Sequence, residues 1–175
     1  MTGAASWRHA FDAGVGIAML VLAFVGIGAS DVSGAGSQAY WSLLAIGFAV
    51  ASFALQWAHA GEGFHWSRSV GRMGAHWIGV LAAVELVYVF IASGRVANAD
   101  IGLVNGVILA LGTFLAGVHA NWRLMVIGAA LGLATAAVAY LEQYLWVLFA
   151  LALLALAAMF VVARLRKPAV PERAV

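Results

Sequence analysis

The sequence predicts an all-α membrane protein, a polytopic transmembrane bundle of six helices. Apolar residues make up 65% of the 175 positions and charged residues only 9%, which is too little polar surface to coat a water-soluble globule. Apolar stretches of about 17 to 20 residues, enough to cross a bilayer as a helix, recur along almost the whole chain. When six such stretches are threaded through a membrane, eight of the nine Lys and Arg residues fall on one side.

A helix is the natural form for each stretch, because it satisfies its backbone polar groups within one segment in lipid. The first stretch follows Arg8 and could be a signal peptide, but Asp12 interrupts its start and no small-residue cleavage site follows, so we expect a retained helix. Short connections favour antiparallel packing of the last three spans. We expect one domain, 1–167, and a polar, proline-broken cytoplasmic tail, 168–175. The predicted spans are 11–29, 41–57, 74–93, 101–118, 124–139 and 145–163.

Basic residues orient the bundle, because cytoplasmic loops are enriched in Lys and Arg. A cytoplasmic N-terminus leaves only Arg95 outside. Tryptophans at span ends agree with this arrangement, since indole rings favour the headgroup layer. We therefore expect a multi-pass protein of a bacterial-type inner (plasma) membrane, with both termini cytoplasmic. The residues placed inside are Arg8, Arg68, Arg72, Arg123, Arg164, Arg166, Lys167 and Arg173.

The second and fifth spans align without a gap, with five identities in nine positions. Three helices in each half would give the inverted-repeat plan found in many transporters. The alternative is accidental similarity between two segments that are both rich in Ala, Leu and Gly. The matched residues are Trp41, Leu43, Ile46, Gly47 and Ala49 with Trp122, Leu124, Ile127, Gly128 and Ala130.

Glu85 lies near the centre of the third predicted span, where a carboxylate costs about 2.5 to 3.5 kcal/mol on insertion scales. We therefore expect it to face protein or water, and Tyr88, one turn on, shares its face. These two residues are typical of a relay point in a pore, although Glu85 could instead be a structural acid bonded to a neighbouring helix. Asn105, one turn into the fourth span, either joins helices or lines the same route.

Two carboxylates and two glycine pairs suit simpler structural roles. Asp12 and Asp100 lie at predicted helix starts, where a carboxylate caps the helix and complements its dipole. Glycines spaced four apart let helices approach closely. They predict packing faces on the fourth and fifth spans, within the chain or between copies. These glycines are Gly102 and Gly106, and Gly128 and Gly132.

All five histidines fall on or near the cytoplasmic boundary of this topology: His9, His59, His65, His76 and His119. The spacing of His59, Glu62 and His65 would place imidazole and carboxylate ligands on one side of a helix, which suits zinc or iron. Gly61 and Gly63 weaken a helix there. The open alternatives are a pH-sensing set of His59, Glu62, His65, His76 and His119, a metal or haem held by His59, His65, His76 or His119, and plain interfacial histidines. No cofactor is predicted.

The chain has no cysteine and no catalytic triad, phosphate loop or HExxH run, so no enzyme activity is expected. Its basic residues flank the spans and encode topology, so no nucleic-acid partner is expected. We predict a small channel or transporter for protons, a small cation or a small neutral solute, acting in the lipid bilayer as a homo-oligomer. The alternatives are an accessory or assembly subunit of a larger membrane complex, and a metal or haem protein using the histidines.

Overall fold

The computed structural model describes residues 3–60 and 66–165, and in these ranges it contains helices and no strand. Short 3-10 helices at Gly34–Ser37 and Asn98–Asp100 precede the second and fourth α-helices. The all-helical fold predicted from the apolar pattern is therefore confirmed for the described residues. The α-helices are α1 (Gly3–Ser33), α2 (Gln38–Ala58), α3 (Trp66–Ala92), α4 (Ile101–His119) and α5 (Trp122–Leu165).

Within the described ranges, four helical stretches are long and apolar enough to cross a membrane. The first is 49 residues long and contains α1 from Ala10 onward and all of α2, separated by the first 3-10 helix. The structure is thus that of a membrane protein with several spanning helices, while the predicted count of six is not confirmed. The four stretches are Ala10–Ala58, Ser69–Ala92, Asn98–His119 and Trp122–Tyr144.

The chain reverses between α1 and α2 through Gly34, whose positive φ of 55° is readily available only to glycine. The two helices then pack closely along their facing ends. At Gly26, an added Cβ would lie 2.7 Å from the ring of Tyr40 and 2.9 Å from that of Trp41. The lack of a side chain at Gly26 therefore lets both aromatic rings of α2 lie against α1.

The span that contains helix α4 is the most buried of the four candidate spans, because 56% of its most apolar segment lies inside the protein. A Cβ at Gly102 would lie 2.9 Å from the Cα of Ile27 on α1, and one at Gly128 of α5 would overlap the backbone of Phe114 on α4. The predicted use of these glycines as packing positions is confirmed, and the packing is within the chain. Helix α4 therefore contacts α1 and α5 at backbone distance.

Helix α5 contains 44 residues, about twice the number that a single span requires. The chain divides into two compact units, residues 1–137 and 138–175, and this boundary falls within α5. The predicted turn between a fifth and a sixth span is wrong, because Tyr140–Tyr144 is helical. This segment contains neither Gly nor Pro, so only the polarity of Glu142 and Gln143 suggested a turn. The inverted three-helix repeat is not confirmed either.

Candidate functional site

Glu85 joins α3 to the first turn of α2. Its Oε2 accepts a hydrogen bond of 2.7 Å from Nε2 of Gln38, and its Oε1 accepts one from the hydroxyl of Ser42. We call these three residues the Glu85 cluster. Glu85 lies seven residues before Ala92, the last residue of α3, or roughly 10 Å along the helix axis. The apolar stretch begins at Ser69, five residues earlier than predicted, so Glu85 lies off its centre, toward the C-terminal end, and its side chain is half-buried.

Tyr88 belongs to a buried chain of hydrogen bonds beside the Glu85 cluster. Its hydroxyl lies 3.0 Å from Oγ of Ser37, and that serine lies 2.7 Å from the carbonyl oxygen of Gly34. Because the carbonyl can only accept, Ser37 donates to Gly34 and Tyr88 donates to Ser37. Glu85 and Tyr88 thus reach adjacent residues, Gln38 and Ser37, at the junction between the first 3-10 helix and α2.

The same junction is fixed from the side of α1. Nε1 of Trp41 donates a 2.8 Å hydrogen bond to Oγ of Ser30, and Ser30 in turn donates to the carbonyl oxygen of Gly26 at 2.8 Å. Ser30 and Trp41 are both fully buried. These hydrogen bonds fix an ordered turn between α1 and α2.

Asn105 on α4 is fully buried, and neither its Oδ1 nor its Nδ2 makes a hydrogen bond. The Tyr88 hydroxyl faces this amide without reaching hydrogen-bonding geometry. A buried amide without partners is costly and uncommon in native proteins. The structure therefore brings the three pore candidates together at one end of the bundle, from half-buried Glu85 through Tyr88 to enclosed Asn105.

A second polar cluster joins α1, α2 and α5. Nε of Arg123, near the start of α5, lies 2.8 Å from Oδ2 of Asp12 on α1, and Nε2 of His59, which ends α2, lies 3.5 Å from the same oxygen. The Asp12 side chain is 11% exposed. We call these three residues the Asp12 cluster. The prediction of Asp12 as a cap is wrong, because α1 begins nine residues earlier at Gly3 and the carboxylate pairs with other helices.

Asp100 does occupy the N-cap position of α4, as the sequence predicted, but its side chain makes no capping hydrogen bond. The sequence could not reveal the Asp12 cluster, because it forms from distant chain segments. Arg123 lies at the start of α5, where the Asn121 side chain accepts a 3.1 Å hydrogen bond from the backbone N–H of Arg123. Gln38 and Ser42, which the sequence analysis also missed, lie one turn apart at the start of α2.

His76 and His119 contact different parts of the described structure. His76 lies 2.8 Å through Nε2 from the carbonyl oxygen of Gly112, which ties α3 to α4. His119 is exposed, and its Nδ1 contacts the carbonyl oxygen of Leu115 on its own helix. Glu62 and His65 lie outside the described residues. In the described ranges no three His, Cys, Asp or Glu side chains are grouped to hold a metal ion.

An apolar groove of about 260 Å³ runs between α2 and α3. Its walls are almost entirely aliphatic and aromatic, and none of its lining residues carries an ionisable group. The groove can accommodate hydrocarbon but offers no polar binding group. Its lining residues are Ala45, Ile46, Ala49, Val50, Phe53, Gly74, Trp77, Ile78 and Leu81.

Comparisons with protein-family models, with curated proteins and with solved structures find no match to this chain.

Proposed function

We propose that this protein is a small membrane channel or transporter for protons, a small cation or a small neutral solute, with Glu85, Tyr88 and Asn105 along its route. One observation carries the proposal: polar groups lead from the half-buried Glu85 carboxylate through buried Tyr88 to an enclosed Asn105 amide that has no partner. Polar side chains placed at a cost inside a membrane bundle are typical of solute and ion pathways.

The route is closed beyond Asn105 in this conformation. The next residues on the buried face of α4 are Leu109, which is fully buried, and Thr113, whose hydroxyl already donates to the Leu109 carbonyl oxygen. Leu109 is apolar, and the Thr113 hydroxyl has already donated its only proton and is fully buried. Transport would therefore require the helices to rearrange, as in a gated channel or an alternating-access transporter.

The proposal places the protein in a bacterial-type inner membrane with its N-terminus in the cytoplasm. Arg72, Arg123 and the Asp12 cluster then lie on the cytoplasmic side, while the Glu85 cluster lies toward the outer side. A cytoplasmic C-terminus would additionally require residues 145–163 to cross the membrane as a separate span. Homo-oligomer formation remains part of the proposal.

Reconstitution into proteoliposomes tests the route directly. Proton flux is followed with an enclosed pH dye, cation flux with thallium quenching, and neutral solute entry with stopped-flow light scattering on urea and glycerol. We expect wild-type vesicles to pass at least one of these probes, and we expect Glu85→Gln to slow that flux. Asp31→Asn is the control, because it changes an exposed carboxylate outside the Glu85 cluster and should leave the flux unchanged. Wild-type vesicles no more permeable than protein-free ones, or equal flux through both variants, would reject the proposal.

A second candidate, an accessory subunit of a membrane complex, is favoured by one face of α3. Gly71, Ala75 and Gly79 are four residues apart and exposed, and a Cβ at either glycine would meet nothing within 4 Å. Such a smooth face suits close packing against another spanning helix. Gly79→Ile should release a copurifying membrane partner if this candidate is correct, whereas Gly14→Ile, also at an open glycine, should retain it.

A further inference from the structure

The apolar groove between α2 and α3 is open on one side and contains a fixed aromatic contact. Trp77, which lines the groove from α3, packs edge to face against Phe48 of α2, with the ring centroids 6.4 Å apart. Val50 and Ile78 also line the groove, and they are 62% and 70% exposed. At Gly74, an added Cβ would meet nothing within 4 Å. The groove is therefore a concave surface that surrounding molecules can enter.

Hydrogen bonds join α2 to α3 beyond each end of the groove. On α2 the lining residues lie between positions 45 and 53. Ser42, three residues before them, donates to the carboxylate of Glu85 on α3. Gln56, three residues after them, donates a 2.9 Å hydrogen bond through Nε2 to Oγ of Ser69 on α3. The two helices are thus held together at both ends, and the groove between these hydrogen bonds spans roughly 12 Å of helix axis.

The groove lies at the depth of the bilayer hydrocarbon. Its lining on α2 begins seven residues after Gln38 and ends five residues before Ala58, roughly 10 Å and 8 Å from the two ends of the helix. Its lining on α3 lies wholly within the apolar stretch Ser69–Ala92. The only polar side-chain atom in the lining is Nε1 of Trp77, which is enclosed by protein. Acyl chains can therefore reach the groove, whereas a soluble partner would find no polar group there.

The size of the groove distinguishes a hydrocarbon chain from a helix. Spread over roughly 12 Å of helix axis, its volume of about 260 Å³ corresponds to a cross-section of roughly 20 Å². An unbranched hydrocarbon chain, whose carbon atoms contact their neighbours at about 4 Å, occupies roughly 15 Å². A helix about 10 Å across occupies roughly 80 Å². One hydrocarbon chain therefore fits between α2 and α3, and a helix from a second copy does not.

We propose that this groove binds one acyl chain of a bilayer phospholipid, which lies along α2 and α3 between the hydrogen bonds of Ser42 and Gln56. The acyl chain fills empty space and makes dispersion contacts along the apolar walls. Water gains nothing there, because a buried water molecule needs several polar partners. The bound lipid is independent of the proposed transport route, so failure of the flux assays would leave this proposal standing.

Two glycines supply matched variants. Gly74→Leu places a side chain in the groove, and Gly47→Leu places one on α2 outside the groove lining. An added Cβ at either glycine meets nothing within 4 Å, so both variants should fold. Val21 is the matched control for Val50, because it is 54% exposed in the middle of α1 and does not line the groove.

Liposomes that contain a phosphatidylcholine with a diazirine in its acyl chain label the residues that contact this chain, and mass spectrometry locates the labels. We expect Val50 of the wild type to be labelled several-fold more than Val21. Gly74→Leu should lower the labelling of Val50 to the level of Val21, whereas Gly47→Leu should leave it unchanged.

Equal labelling of the two valines, or labelling of Val50 that is insensitive to Gly74→Leu, would mean ordinary bilayer contact and would overturn the proposal. Labelling of Val50 that rises when the protein is diluted in the bilayer would overturn it as well, because a second copy would then cover the groove.

Discussion

Gln38, the first residue of α2, donates a 2.7 Å hydrogen bond through Nε2 to the carboxylate of Glu85 on α3. The same carboxylate accepts from Ser42 one turn further along α2. Both oxygens are thus held by one helix, which explains how a carboxylate can remain in an apolar span without a basic partner in the described structure. The ends of α2 and α3 are joined by the group that we place in the transport route.

Replacing Ser42 by Ala should lower the stability of the folded protein by about 1 to 3 kcal/mol, because it removes one of the two donors to a partly buried carboxylate. Thermal unfolding in detergent measures this effect. Ser33→Ala is the control, since the Ser33 hydroxyl is exposed and donates only to the Ala29 carbonyl oxygen on its own helix. Equal melting temperatures for the two variants would show that the Ser42 contact contributes nothing to stability.

Replacing Gly128 by Ala should destabilise the α4–α5 contact strongly, because the new methyl group would overlap the Phe114 backbone, which cannot move as a flexible side chain can. We expect a loss of about 1 to 3 kcal/mol or more. Gly132→Ala, one turn along the same helix, is the matched control, since its nearest contact is 3.7 Å from the Ala110 Cβ. We therefore expect Gly128→Ala to unfold at a clearly lower temperature than Gly132→Ala. A stable Gly128→Ala protein would contradict the described packing.

Replacing Arg123 by Gln should cost about 3 kcal/mol, because breaking a buried ion pair leaves its carboxylate uncompensated. The Asp12 and Arg123 side chains are 11% and 24% exposed. Because solvent screens a partly exposed ion pair, about 3 kcal/mol is the largest loss of folding free energy that we expect. The double variant Asp12→Asn with Arg123→Gln should recover part of the loss. Arg72→Gln, at an exposed position on α3, should have little effect, and a double variant no better than Arg123→Gln alone would argue against direct pairing.

Reporter fusions should place the connection around Gly94 outside the cell and the connection around Ala120 inside it. The reason is that Arg72 and Arg123 flank one end of the α3 and α4 spans and should remain cytoplasmic. A third fusion after Leu165 should report the outside of the cell, because α5 runs as one helix from Trp122 to Leu165 without the reversal that a sixth span needs. A cytoplasmic signal at this last site would mean that the chain reverses around Tyr140–Tyr144 and that residues 145–163 form a sixth span.

The sequence identified best those residues that are costly to place in an apolar span, such as buried polar groups, and those whose spacing sets local geometry, such as the paired glycines. Apolar length predicted several long apolar helices, although the count of six is not confirmed, and the glycine spacing at Gly102 and Gly128 predicted close backbone packing. Asn105 and Tyr88 were noticed because polar groups in spans are rare, and the structure places them face to face. In contrast, the role of Asp12 depends on two residues more than 45 and 110 positions away, a pairing that no local pattern encodes. The predicted turn within α5 was wrong because two polar residues, Glu142 and Gln143, do not outweigh a segment of helix-forming residues.

The hydroxyl of Ser37 donates to the Gly34 carbonyl oxygen in the α1–α2 turn and accepts from Tyr88 on α3. These hydrogen bonds join the α1–α2 hairpin to α3 at this end. In the described structure the Asn105 amide of α4 makes no hydrogen bond at this end, whereas at the opposite end His76 of α3 contacts the Gly112 carbonyl oxygen of α4. Separating α4 from α3 at this end would therefore break no hydrogen bond of Asn105, and the Asn105 amide would be uncovered to an arriving solute.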